Sequence, residues 1–333
     1  MIFSEDSWKR DGEMKMVIPV STGLSWPKMA PSLAAAETSF LLPLLGKALT
    51  DEIDGIYWMD AEDRTDAEKE ALRISQVAVA NLALWSDFDA LNMRISDQGF
   101  QRQMSDSWQP AYKYQEDALR RKFAAAGFGA LDQLLAFLEA NQREFPLYTT
   151  SPARTESMKS LVRNTAEVQD IWDIGNSRLI FLRLRPVLTQ VEELTLQPLI
   201  GDTLYAALRK YLDGDPVIIG GDEIPAFTCE ELRDRCRKVV VMAAVLRMLR
   251  TTGELTDRGA YFANTVATGG GNNSSSPVAD VRLQLMVNDA ETAMKGYTAR
   301  LTSWVKSNLS DYSGGDPLGI LNHENDNRAA FWA

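Results

Sequence analysis

Two long stretches of the chain carry an apolar body with polar residues at regular intervals, and both read as helices. The first runs from Thr65 to Asp89 and opens on Thr65-Asp-Ala-Glu68, a spacing that lets Thr and Glu cap each other's backbone N–H groups. The second runs from Cys229 to Arg250, is opened by Thr228, and keeps an Arg/Lys-rich solvent side. Further helices are expected over Ala111–Ala125 and Ala130–Asn141, with a break at Gly127-Phe-Gly129, over Ser157–Ala166, and over 280–310. Short β segments are expected at Asn92–Ser96 and Tyr261–Val266. They adjoin the turns Ser96-Asp97-Gln98-Gly99 and Thr256-Asp257-Arg258-Gly259, where Asp and Gly favour chain reversal. A short β element is also expected ahead of each apolar block, near Val17–Trp26 and near the turn-bearing Ile171–Ser177.

Laying the chain over itself shows that the pattern occurs twice. PSLAAAETSFLLPLLGKAL at 31–49 and PVLTQVEELTLQPLIGDTL at 186–204 share eight of nineteen ungapped positions at a constant offset of 155. The shared residues include Pro31/Pro186, Glu37/Glu192, Pro43/Pro198 and Gly46/Gly201. After a five-residue shift, Leu72-Arg73 meets Leu232-Arg233, and the turns bearing Asp97 and Gly99 meet those bearing Asp257 and Gly259. Pro31 and Pro186 are expected to start helices, and Pro43 and Pro198 to end one helix or begin the next. Gly46 and Gly201 are expected to allow a kink or close helix packing.

These patterns predict a mainly α protein of two tandem, diverged helical domains of similar topology. Each domain is expected to carry a short β-hairpin or β segments and an extended loop. The expected order is an N-terminal arm (1–30), helical repeat 1 (31–148) and a linker with a short β element (149–185). Helical repeat 2 (186–311) and a flexible C-terminal tail (312–333) follow.

Composition fits a globular chain: 333 residues, 45% hydrophobic and 24% charged. No run reaches the ~18 apolar residues that a membrane span needs, and residues 1–15 lack the apolar run of a signal peptide. The expectation is therefore a protein without a membrane partner, made in the cytoplasm. The net charge of −11 opposes binding to a nucleic-acid backbone, and suits at most DNA sliding past an acidic wall. Cys229 and Cys236 are separated by ~10 Å of helix rise, too far for a disulfide, and read as buried thiols.

A search for chemistry finds little. The single histidine, His323, lies in the tail, which disfavours histidine triads and His-ligated zinc. No phosphate loop, dinucleotide glycine motif or nucleophile elbow occurs, and Gly269-Gly270-Gly271 lacks the GK[ST] ending. The carboxylates Asp60, Glu62, Asp63, Asp222 and Glu223 sit in hydrophilic segments where solvation is the ordinary reading. The basic run Arg120-Arg121-Lys122 reads as a solvated or interface face. No catalytic, cofactor or metal residue is assigned. The aromatic residues stand out, because Trp8, Trp26, Trp58, Trp108 and Trp332 fall in expected loops or termini, where they either cover core edges or serve an interface. Candidate interface residues are Trp108, Gly269, Gly270, Gly271, Phe331 and Trp332.

Several segments resemble an uncharacterised family of phages and prophage-like elements of Bacteroidetes. They are Leu72–Leu91 with Ile95–Gly99, Tyr112-Lys-Tyr114, and LLAFLEANQREFPLY at 134–148. The second half adds Ile174–Leu179, Phe181–Pro186 and Pro198-Leu-Ile-Gly201. The resemblance covers most of 30–310 and implies a head–tail connector (adaptor) subunit of a virion. Its implied partners are further copies in a ring and other virion proteins such as portal or tail proteins. Connector adaptors are usually smaller, single helical domains, and this duplicated chain departs from that pattern. The rival expectations are a tail-completion or baseplate protein, and a cytoplasmic enzyme using carboxylates and a metal.

Overall fold

The apolar stretches fold as helices, and the protein is mainly α. The computed structural model describes residues 1–10, 12–18, 24–96, 99–102, 112–219, 222–252, 265–266, 275–276 and 280–309. These form two compact units that divide after Glu156. Asp97, Trp108, Asp257, Gly259, Gly269, Gly270, Gly271, Phe331 and Trp332 lie outside the described residues, as do most of the extended loop and the C-terminal tail.

The first unit opens with the short helices α1 (Glu5–Arg10) and α2 (Glu13–Val17). Helix α3 (Trp26–Ala36) passes through a π-helical turn, Glu37–Leu41, into α4 (Leu42–Trp58). Helix α5 (Asp66–Ser86) then leads to α6 (Phe88–Asn92). Strands β1 (Met93–Ser96) and β2 (Gly99–Arg102) pair antiparallel, with Gly99 opposite Ser96. Helix α7 (Lys113–Ala140), a 3-10 turn (Pro146–Thr150) and α8 (Pro152–Ser157) complete the unit.

Two sequence features organise this unit. Thr65 and Glu68 form both bonds of the capping box, Glu68 N–H to Thr65 Oγ1 at 3.2 Å and Thr65 N–H to Glu68 Oε2 at 2.7 Å, so α5 starts where the sequence places it. Gly46 takes φ 75°, ψ 167°, a region reserved for glycine, and kinks α4 just after Pro43 opens it.

The expected break at Gly127-Phe-Gly129 is not observed, because α7 is continuous. Gly127 is instead a site of close approach, where a Cβ would stand 2.6 Å from Leu82 Cγ on α5. Phe128 then packs edge-on against Phe40 and Trp85. By length and composition α7 would suit a membrane span. Here its Leu131, Leu134, Leu135 and Leu138 are buried.

The start of the expected N-terminal arm is packed against the unit rather than free. Ile2 and Phe3 are 0% and 1% exposed, and Ile2 N–H donates to Glu37 Oε2 at 3.3 Å. Few apolar residues suffice to anchor this charged segment, because the body of the unit supplies their partners.

The second unit repeats the order. Helix α9 (Thr165–Gln169) is capped by Asn164, and α10 (Arg178–Val191) by Ser177. A π-helical turn at Glu192–Leu196 follows, then α11 (Gln197–Ile200) and α12 (Asp202–Leu212). Gly201, between the last two helices, takes φ 83°, ψ 155°. Strands β3 (Ile218–Ile219) and β4 (Asp222–Glu223) pair antiparallel ahead of α13 (Ala226–Thr252). Strands β5 (Thr265–Val266) and β6 (Ser275–Ser276) pair antiparallel, and α14 (Asp280–Asn308) packs on α13.

Positions 155 apart behave alike. Both π turns begin at the shared Glu, and Leu33/Leu188, Leu41/Leu196 and Leu49/Leu204 are all buried. Pro43 and Pro198 stand in the first turn of their helices, as expected. Pro31 and Pro186 do not start helices: they lie inside α3 and α10, whose starts are set by Ser25-Trp26-Pro27 and by the Ser177 cap. The expected β element of 149–185 is likewise absent among the described residues, which there form helices and turns.

Glu192 is the most buried carboxylate described, at 1% exposure. It accepts from Ser160 Oγ, from Leu161 N–H at 2.8 Å and from Tyr205 Oη at 3.4 Å. Burial pushes its pKa up, and these bonds together with the Arg209 charge offset part of that shift. Leu161 thus bonds to Glu192 as Ile2 bonds to Glu37. In each unit the shared glutamate fastens a leading, nearly buried backbone segment to the helical body.

Candidate interaction groove

A recess of about 740 Å³ in the first unit lies where α4 ends and α5 begins. Its floor is a closed polar network. Gln76 Nε2 donates to Glu13 Oε1 at 2.7 Å and to the Ile2 carbonyl at 2.9 Å, while Tyr57 Oη contacts Ser4 Oγ at 2.9 Å and Glu13 Oε2 at 3.3 Å. Burial, with Glu13 alongside, holds the Tyr57 hydroxyl above its ordinary pKa despite opposing bonds from Ser4 and Ser7.

Arg64 sets the shape of the connection, because its Nη2 donates to the Tyr57 and Met59 carbonyls, both at 2.6 Å. That grip ends α4 and turns Trp58 outward, its ring edge-on to Tyr57 at 5.1 Å. Arg73, also lining the recess, is held by Glu70 at 2.7 Å.

With the floor engaged in its own hydrogen bonds, the exposed part of the groove is its apolar rim. Met16 is 80% exposed, Trp58 66% and Met59 40%. Exposed aromatic and Met side chains grouped at one recess mark interaction surfaces. Asp60, Glu62 and Asp63 follow in the same connection and are exposed.

The second unit has a similar corner at the corresponding connection, between α12 and α13. Ile218, in the hairpin of that connection, is 60% exposed, and Phe227, in the first turn of α13, is 79% exposed. Val217, Ile219 and Ile224 anchor the hairpin below them. Asp213, Asp215 and Glu223 are exposed around it.

The structure sorts the tryptophans that the sequence left open. Trp8 and Trp26 are half-buried: their rings meet at 5.5 Å, and Trp8 Nε1 donates to the Leu24 carbonyl at 3.1 Å. Trp58 alone of these three is an exposed rim residue. Sequence reasoning missed Met16, Met59, Ile218 and Phe227, because the five-residue shift between the repeats falls within this connection and hides the correspondence. Among the described residues, no group of three or more His, Cys, Asp or Glu side chains is placed to hold a metal ion. Cys229 and Cys236 are buried free thiols, and burial raises both pKa values.

No curated protein matches the chain, nor does any solved structure. One family model matches it in two successive segments, residues 41–158 and 196–316, and so extends over most of the chain. The protein therefore belongs to the family of unknown function DUF6712.

Proposed function

We propose that this protein is a structural subunit that works by oligomeric assembly, and that its two units descend from one copied helical module. The observation that carries the reading is the recurrence of exposed apolar side chains at the same connection of each unit. Trp58 and Met59 stand there in the first unit; in the second, Ile218 stands there and Phe227 follows in the first turn of α13. Keeping two such corners exposed costs solubility, and partner binding offsets that cost. The resemblance of Leu72–Leu91, Ile95–Gly99, Tyr112–Tyr114, 134–148, Ile174–Leu179, Phe181–Pro186 and Pro198–Gly201 to phage and prophage-like proteins supports, in this proposal, an assembly at the head–tail neck of a virion put together in the bacterial cytoplasm. Its partners would be further copies in a ring and portal or tail proteins, with DNA at most passing an acidic channel.

Negative-stain microscopy and light scattering of the purified full chain test the assembly reading. Immunodetection in purified particles of the parent element tests the virion assignment. Rings or other closed oligomers, and a fixed copy number per particle, are the expected results. A protein that stays monomeric alone and is missing from particles would end the proposal.

A further inference from the structure

The groove has a complement on the same molecule. Helix α7 begins with a half that stands clear of the core. Tyr112 and Tyr114, 67% and 65% exposed, stack at 5.8 Å, and Leu119 is 44% exposed. Lys113 lies between the two tyrosines in sequence, Glu116 and Asp117 follow in the next turn, and Arg120, Arg121 and Lys122 lie about two turns on. This ridge is apolar and keeps Lys113 and Lys122 exposed, while its Arg120 is paired with Asp89. The groove has an apolar rim over its polar floor; Asp60 lines it, and Glu62 and Asp63 follow, exposed, in the same connection. Of the two cations that also line it, Arg73 is paired with Glu70 and Arg64 is held by backbone carbonyls. Apolar faces with opposite charged borders attract and register one another.

The two surfaces cannot meet within one molecule. Helix α7 runs antiparallel to α5: Gly127 meets Leu82, Phe123 approaches Phe88, and Arg120 pairs with Asp89. The ridge therefore lies beyond the C-terminal end of α5, while the groove sits around its N-terminal end. The 21 residues of α5 separate them by about 30 Å, at ~1.5 Å per residue. A contact between them requires a second copy. Because the two surfaces differ, the contact is head-to-tail, the kind that closes into rings or runs on as filaments.

We propose that the Tyr112–Lys122 ridge of one copy docks into the groove rimmed by Met16, Trp58 and Met59 of a second copy. The inference rests on the assembly reading and names its surfaces. The C-terminal segment is a poorer occupant, since Glu324 and Asp326 would bring carboxylates to an acidic border.

The test is a charge swap in the full-length protein, read by sedimentation velocity over a concentration series. Circular dichroism of each variant verifies folding. Lys113→Glu with Lys122→Glu on the ridge, and separately Asp60→Lys with Glu62→Lys on the groove, should each weaken self-association by at least about tenfold, the order of a lost interface contact. Mixing the two variants, or combining all four changes in one chain, should restore it. Trp58→Ala and Tyr114→Ala should each weaken it similarly, and as exposed side chains they leave the fold intact. An oligomer that persists in every variant overturns the proposed surfaces and leaves the assembly reading standing. Loss of association with Ile218→Ser or Phe227→Ser, but not with Trp58→Ala, moves the acceptor to the second unit and overturns the proposal. A wild-type chain that is monomeric at all concentrations overturns it as well.

Discussion

The kink at Gly46 permits a test in which one kind of substitution, made twice in one helix, should act in opposite directions. At φ 75°, ψ 167°, Gly46 occupies a region that a Cβ makes unfavourable by about 1–3 kcal/mol. The Cβ of an alanine there would also stand 2.8 Å from Pro152 Cδ, a ring that cannot rotate away. Overpacking of this kind costs about 1–3 kcal/mol, so Gly46→Ala should destabilise the first unit by about 2–6 kcal/mol. Nine residues later, Gly55 has nothing within 4 Å of its would-be Cβ and lies in the regular part of α4. Gly55→Ala should therefore stabilise by about 0.5–1 kcal/mol through helix propensity alone. Urea unfolding followed by far-UV circular dichroism gives both values. A Gly46→Ala protein as stable as wild type would refute the argument, because neither the backbone strain nor the Pro152 contact would then exist.

Three further outcomes follow from packing and burial. Gly127→Ala should cost about 1–3 kcal/mol in urea unfolding, since Leu82 Cγ and backbone N lie 2.6 Å and 3.2 Å from the new Cβ; a neutral result would mean that α5 and α7 are not in this close contact. Phe3→Ala should cost about 3–5 kcal/mol by the same measurement, because the side chain is 1% exposed, whereas a dispensable arm would show almost no change. Glu192→Gln should change the pH profile of stability. The folded carboxyl titrates above its ordinary 4.5, so the unfolded chain ionises first and wild-type stability falls as pH rises from 4.5 through the folded value. The difference between variant and wild type should therefore grow in the variant's favour across that window and then level off, and a flat difference from pH 4 to 8 would rule out the buried charge.

What could be read from the sequence was whatever a single residue type enforces locally. Only glycine tolerates the backbone at 46 and 201, and proline suits the first helical turn at 43 and 198, so their shared spacing marked two kinked helices. Thr65 and Glu68 make a self-contained cap and fixed the start of α5. Tertiary partners decided the rest. Gly127 looked like a helix break because the sequence does not show Leu82 pressing on it. Residues 1–30 looked like an arm because their composition is polar, and only Glu37 and the core explain why Ile2 and Phe3 are buried. Trp58 was visible as an aromatic outside the core. The groove was not, since Met16 joins it from a separate helix about forty residues away in sequence.

The paired glutamates show how far such local marks can mislead about a module's extent. The identities that expose the duplication start at Pro31 and Pro186, yet neither proline starts its helix. Glu37 and Glu192, each at the head of a π turn, reach back to the amides of Ile2 and Leu161. A buried amide left without an acceptor costs about 1–3 kcal/mol, and a buried carboxylate without donors costs more. Each side of this bond therefore constrains the other, even where the surrounding sequences have diverged beyond alignment. The folding unit on this argument includes the leading segment, Met1 onward in the first half and Ser160 onward in the second. The α4–α5 and α12–α13 connections, with their exposed apolar residues, then occupy the interior of each unit's sequence. There they are held from both sides by packed helices, the rigid mounting that the proposed assembly contact would require.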